Sequence, residues 1–199
     1  LLNEYNVFSI ARRSRKVANI PSHQNLHLIQ CDIANWNSLK DVMNYIKDDG
    51  GAYFVIHLAA YYDFTYEDNP EYERTNIKGT ENVLKFSKEI GISRFIFASS
   101  LAACQFSDGK TPIDENSPLV PEYQYAYTKK IGEELVEKYS KDFSCTIIRL
   151  AAVFSDWCEY AVLYKFLESW LSHSYYSRML AGKGESAIPY IHVHDLYLL

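Results

Sequence analysis

Tyr125 and Lys129 stand four residues apart in a segment with helical spacing, Tyr123 to Tyr139. Side chains at that separation share one face of a helix. A tyrosine hydroxyl has an ordinary pKa of about 10, too high for proton transfer near neutrality. A nearby ammonium stabilises the phenolate and lowers that value, so the pair makes a proton-transfer device. The chain holds 17 tyrosines, so pairs of this spacing also arise by chance. Ser99 and Ser100 close an apolar run upstream. A hydroxyl there can bond a substrate oxygen while Tyr125 moves the proton. Strand termination and helix capping are the other uses of serines so placed.

The elements that must position these residues follow a strand–helix rhythm. Apolar runs at Val7 to Ala11, Leu26 to Cys31, Tyr53 to Leu58, Arg94 to Ala98 and Cys145 to Ile148 read as strands, with a late strand at Ile188 to Val193. Helical spacing marks Trp36 to Lys47, Glu71 to Ile90, Tyr123 to Tyr139 and Tyr160 to Leu171, and Gly91 fits a helix C-terminus. Short apolar strands alternating with helices predict a parallel sheet covered on both faces. Ligands of such sheets sit at the carboxyl ends of the strands. That rule singles out Arg12, Asp32, Ala59, Ala60, Ser99 and Ser100. Ser107 to Pro121 reads as a loop over the same edge.

Composition narrows the class. The 199 residues are 48% hydrophobic and 23% charged, ordinary for a globular chain. Net charge is -5, which disfavours a nucleic-acid-coating surface. No apolar run reaches the length of a membrane span, roughly 18 residues or more. Cys31, Cys104, Cys145 and Cys158 form no CxxC pair, and no secretory pattern precedes them, which fits a reducing, cytoplasmic compartment. The tyrosines serve packing or, less simply, a pocket for a polar ring-shaped ligand. The Trp157 to Trp170 stretch carries few basic residues and reads as a core or substrate-pocket helix rather than a membrane-surface one. Among only 8 glycines the first is Gly50, so no Gly-rich phosphate loop lies in the first quarter of the chain.

Six segments together carry a family resemblance: Cys31-Asp32-Ile33, His57-Leu58-Ala59-Ala60, Asn76-Ile77-Lys78-Gly79-Thr80, Phe97-Ala98-Ser99-Ser100, Tyr125 to Lys129 with Gly132-Glu133, and Tyr190 to Val193 with Asp195. In this order the chain resembles the extended short-chain dehydrogenase/reductase family, in its NAD-dependent epimerase/dehydratase branch. The resemblance implies an α/β, Rossmann-like doubly wound parallel sheet and hydride transfer between a nicotinamide and a carbinol carbon. It implies Tyr125 as general acid/base, and Lys129 as the residue that holds the nicotinamide ribose and depresses the Tyr125 pKa. It implies Ser100 as the residue orienting the reacting oxygen, with Ser99 as second choice. Asp32 and Ile33 would contact the adenine, Ala59 and Ala60 would line the cofactor channel, and Asn76 would brace the elements beside the site. A homodimer through the two long helices is a further implication.

Arg12 follows the first strand, where an acidic residue would bind a ribose 2′-hydroxyl. Arg12 and Arg13 match a 2′-phosphate instead, which favours NADP over NAD; the alternative is a solvated basic turn. Three features depart from the family pattern. Its opening strand and GxxGxxG turn have no counterpart here, and by the length of a βαβ unit about 25–30 residues of that pattern would precede Leu1. Arg149-Leu150-Ala151-Ala152 replaces the usual Arg-Pro and Tyr-Gly turn. The family's substrate-binding segment continues beyond Leu199. The sequence therefore divides into a partial dinucleotide-binding domain over 1–155 and the start of a substrate-binding region, interleaved with the last sheet strand, over 156–199.

His192 and His194, alternating on the last strand, could bind a metal; the resemblance already accounts for this segment, and no metal is expected. Gly182-Lys183-Gly184 lacks P-loop spacing and reads as a turn. The expected function is that of an NAD(P)-dependent oxidoreductase or epimerase acting on a small-molecule alcohol or ketone such as a nucleotide sugar or a steroid-like compound. A non-catalytic dinucleotide binder and an inactive fragment are the alternatives.

Overall fold

A computed structural model describes residues 2–198 except 15, 17–19, 66, 106–111, 180–182 and 184–186. Gly182 and Gly184 of the expected turn, and residues 107–111 of the Ser107 to Pro121 loop, fall outside the described residues. Strands β1 (Val7–Ala11) and β2 (Leu26–Gln30) lead to helix α1 (Trp36–Asp48). Strand β3 (Phe54–His57) is followed by a π-helical segment (Tyr72–Lys78) that runs straight into α2 (Gly79–Ile90). Then come β4 (Arg94–Ser100), α3 (Gln124–Tyr139), β5 (Ser144–Leu150), β6 (Ala152–Phe154), α4 (Ala161–Leu171), β7 (Tyr190–His192) and α5 (Val193–Leu196).

Every strand pairing is parallel. β1 pairs with β2, β4 lies between β3 and β5, and β6 pairs with β7. Helices connect β3 to β4 and β4 to β5, as parallel neighbours require. Asn35 caps α1 by accepting the Ser38 N–H, and Gly91 ends α2 in the left-handed region at φ 76°, where a Cβ would be strained.

The core lies between the strands and one layer of helices. Leu39, Val42, Met43 and Ile46 of α1, Val83, Leu84 and Phe86 of α2, and Val136 of α3 form one buried cluster with Phe95 and Phe97 of β4. The strand period of two turns alternate residues the other way: Phe54 and Ile56 on β3 are exposed while His57 is buried.

Two sequence expectations change. The stretch read as a core or substrate-pocket helix gives α4, which buries no residue, so the core alternative falls; Trp157, Tyr164, Phe166 and Trp170 are exposed. Its aromatics satisfy each other instead, with Phe166 stacked on Trp170 at 5.6 Å. His192 and His194 do not alternate on a strand: β7 stops at His192, whose Nδ1 accepts the His194 N–H and starts α5. His192 Nε2 lies 3.3 Å from Asp156. No group of three or more potential metal ligands occurs among the described residues, and no described helix is long and apolar enough to cross a membrane.

Candidate active site

Strand β4 and helix α3 bring the proposed chemistry together. Ser100 ends β4, and its Oγ accepts the Ala102 N–H at 3.2 Å, so it caps the turn that follows the strand. The same hydroxyl acts on the Tyr125 phenol, in the first turn of α3, in the direction that lowers its pKa. Burial pushes the Tyr125 phenol up to about 12, the neighbouring Tyr123 adds to this, and the Ser100 hydroxyl opposes it. Tyr62 packs against the Tyr125 ring at 4.6 Å, Tyr123 at 6.3 Å and Tyr72 at 6.4 Å. Low polarity around the hydroxyl thus favours its neutral, proton-donating form.

Lys129 shares the face of Tyr125, as the spacing predicts. Its Nζ sits 5.6 Å from the Tyr125 ring centroid and 5.2 Å from that of Phe97. It donates to the carbonyl of Ala98 at 2.7 Å. The ammonium is hydrogen-bonded to the β4 backbone, and burial decides the direction in which the Tyr125 phenol is shifted. Burial lowers the Lys129 pKa to about 8, with Glu133 acting in the opposite direction.

Ser99 goes elsewhere. It is buried, and its Oγ donates to Glu133 at 2.5 Å. Of the two serines, Ser100 is the one beside Tyr125. The sequence left Glu133 without a role, although it lies four residues beyond Lys129 on the same helical face. Arg149 of β5 grips the Glu133 carboxylate through Nη2 at 2.9 Å and Nε at 3.2 Å.

Asn76 is the brace that the resemblance implied. Its Nδ2 donates to the Tyr61 carbonyl at 2.9 Å and to Thr128 Oγ1 at 3.0 Å, and its Oδ1 accepts the Tyr61 N–H at 2.6 Å. Thr128 Oγ1 in turn donates to the Tyr125 carbonyl at 2.8 Å. The loop after β3 and the first turn of α3 are so tied through one side chain. Ala59 and Ala60 lie in that loop and are exposed.

The strand ends nearer the N-terminus form a separate charged cluster. Arg74, in the π-helical segment, binds Asp32 at 2.8 Å and Glu71 at 2.6 Å, and Glu71 also binds Arg12 at 3.1 Å. The hydrogen bond from Arg74 takes the Glu71 pKa down to about 2. Burial works to raise the Asp32 pKa, but its bonds to Arg74 and the Ala34 N–H leave it below the usual value. Ile33 points into the core, where it lies against Gly79; its carbonyl accepts from Asn82 at 2.9 Å. Arg12, Asp32, Ala59, Ala60 and the β4–α3 residues all lie towards the carboxyl ends of parallel strands, the edge at which ligands of such sheets bind.

A parallel α/β sheet with its polar groups gathered at the strand ends defines the Rossmann class of proteins. Within that class, the family model of the NAD dependent epimerase/dehydratase family matches residues 1–197, and the chain belongs to that family. It is 29% identical over 141 residues to a UDP-glucuronate 4-epimerase of Thermodesulfobacterium geofontis, an alignment covering 69% of this chain and 42% of that protein. It is 30% identical over 129 residues to the decarboxylating sterol-4-alpha-carboxylate 3-dehydrogenase of Saccharomyces cerevisiae, covering 62% of this chain and 35% of that one. The chain thus spans less than half the length of these curated relatives. Among solved structures, the Bordetella bronchiseptica enzyme WbmG in complex with NAD and UDP superposes with a TM-score of 0.78 at 21% identity, over 98% of this chain and 59% of that chain. That likeness shows the fold.

Proposed function

We infer that the chain carries the catalytic half of an NAD(P)-dependent oxidoreductase or epimerase acting on a carbinol or carbonyl carbon through Ser100, Tyr125 and Lys129. The observation that carries this reading is the Ser100–Tyr125 pairing at the carboxyl end of β4, inside a ring of aromatic side chains. The nicotinamide, when bound, supplies the acceptor or donor of hydride. Ser100 orients the substrate oxygen, and Tyr125 gives a proton to that oxygen during reduction or takes it during oxidation. Lys129 lies one helical turn below, with its ammonium able to exchange the Ala98 carbonyl for a ribose hydroxyl. Asp32 and Ile33 would contact the adenine, and Ala59 and Ala60 would line the cofactor channel. Arg12 favours a 2′-phosphate and hence NADP, in competition with Glu71, which it now binds.

The substrate class that best fits the relatives is a nucleotide sugar or a ring alcohol. The division falls near residue 155, with 1–155 binding the dinucleotide and 156–199 opening the substrate region; the pairing of β6 with β7 across that boundary fits the interleaving of the last strand. A homodimer through the two long helices and a cytoplasmic site of action complete the proposal. The test is Tyr125→Phe in the full-length protein: turnover should fall by about 10²-fold or more, the scale of lost general acid/base catalysis, while dinucleotide affinity stays within a few fold. Full turnover by the variant refutes the assignment. A non-catalytic dinucleotide binder is the second reading, and it predicts no turnover in the wild type either.

A further inference from the structure

We propose that Glu133 is a positioning residue: its carboxylate, fixed between Ser99 and Arg149, keeps Lys129 charged and locks that turn of α3 to the end of β4. The proposal rests on the role given to Lys129 above.

Successive turns of α3 grip successive residues of β4. Lys129 donates to the carbonyl of Ala98, and Glu133 accepts from the hydroxyl of Ser99. Both grips are buried, with Lys129 at 5% and Glu133 at 2% exposure. Arg149 closes the arrangement from β5 with three contacts to the carboxylate, and its Nη1 donates to the Glu115 carbonyl at 3.1 Å. The result is an alternating row of charges, positive at Lys129, negative at Glu133 and positive at Arg149, running across α3 and β5 beneath the strand end that carries Ser100.

The remaining groups around this row do not replace the carboxylate. From β3, His57 is wholly buried, bonded to Thr80 and held neutral, its pKa taken down to about 3 by burial and by Lys129. On α3 itself, Tyr125 is a neutral phenol. Cys104, beyond β4, faces Arg149, and its thiol is raised chiefly by burial. Among the described residues, the negative charge that offsets the burial of Lys129 comes from Glu133. An uncharged amine could not stabilise a phenolate at Tyr125, so the carboxylate acts on the chemistry through Lys129 without touching the reacting atoms.

The test reads Lys129 directly. The full-length protein is labelled with carbon-13 at lysine Cε, the Lys129 signal is assigned by its loss in Lys129→Arg, and its shift is followed with pH. The wild type should titrate near 8. Glu133→Gln keeps the shape and an acceptor for Ser99 but removes the charge; the midpoint should fall by roughly one unit. Arg149→Met leaves the carboxylate uncompensated, and the midpoint should rise by roughly one unit. Opposite shifts support the proposal. Unchanged midpoints, or shifts of the same sign, overturn it, because a purely structural pair would disturb Lys129 alike from either side. Should Glu133→Gln not fold, the direction of the Arg149→Met shift decides. None of this depends on turnover: full activity of Tyr125→Phe would remove the catalytic reading and leave the titration result standing.

Discussion

Gly132→Ala should destabilise the protein although it improves helix propensity. Gly132 lies on the inner face of α3, one residue before Glu133. A Cβ there would stand 2.5 Å from Cζ and 3.0 Å from Cε1 of Phe97. Carbon atoms attract best at about 3.5–4.0 Å, so the ring would have to retreat by roughly 1 Å. It has no room to do so. Phe97 is 2% exposed, stacks on His57 at 5.7 Å and carries the Lys129 ammonium 5.2 Å from its centroid. Overpacking of a filled core costs about 1–3 kcal/mol, and a contact this short belongs in the upper half of that range. Alanine returns about 1 kcal/mol of helix propensity. The net loss is about 1–2 kcal/mol, which for a chain of this size lowers Tm by about 2–8 °C. Thermal unfolding followed by circular dichroism measures it. In a Phe97→Leu background the clash is relieved, so the same substitution should cost less there than in the wild type. An unchanged or raised Tm for Gly132→Ala, or equal costs in both backgrounds, would refute the reasoning.

His57 should make stability depend on pH. Its folded pKa of about 3 lies below its unfolded value of about 6.5. The unfolded chain therefore binds the extra proton between these values, and the contribution is complete above the unfolded pKa and lost as pH falls towards the folded one. From pH 7 to pH 5 that amounts to about 2 kcal/mol, seen as a fall in the urea midpoint; His57→Leu should remove that part of the fall, and an unaltered pH dependence in the variant would count against it. Arg12→Ala in the full-length protein should weaken NADP binding about tenfold or more while leaving NAD within a few fold, as the loss of a charge-assisted phosphate contact requires; isothermal titration with both nucleotides checks this, and equal losses would dismiss the 2′-phosphate role. Leu84→Ala, at a side chain with no exposed surface, should cost about 2–5 kcal/mol in denaturant unfolding, and a loss well below that range would mean that the α2 packing is looser than described.

The strands were legible because their signal is local. Apolar runs of strand length place β1 to β5 within a residue or two of where they lie, and the Tyr125–Lys129 spacing alone puts both on one face of α3. What the sequence hid was partnership across distance. Asp32 and Arg74 are 42 residues apart, and Ser99 and Glu133 are 34 apart. No periodicity announces such pairs, so Ser99 stood as the second choice behind Ser100 until the structure gave its hydroxyl to a buried carboxylate. Lys129 was expected to act on Tyr125, and its bond to the Ala98 carbonyl depends on how closely α3 approaches β4, which Gly132 permits. The hydropathy of Trp157 to Trp170 gave a correct helix but not its place in the core, since apolar content measures a preference for burial and not the presence of a surface to be buried against.

The π-helical segment has a consequence for how one continuous rod serves two masters. Its wider turn closes with the Gly79 N–H reaching back five residues to the Arg74 carbonyl, which changes the angular phase of everything upstream relative to α2. Downstream, an ordinary helical stripe of Val83, Leu84 and Phe86 meets the core. Upstream, the altered phase lets Arg74 face the Asp32 carboxylate while Asn76 faces Tyr61 and Thr128. An unbroken α-helix would keep one stripe in one direction along its whole length and would surrender either the core or the brace. The wide turn works as a phase coupler between the stripe that meets the core and the residues that tie the strand ends together.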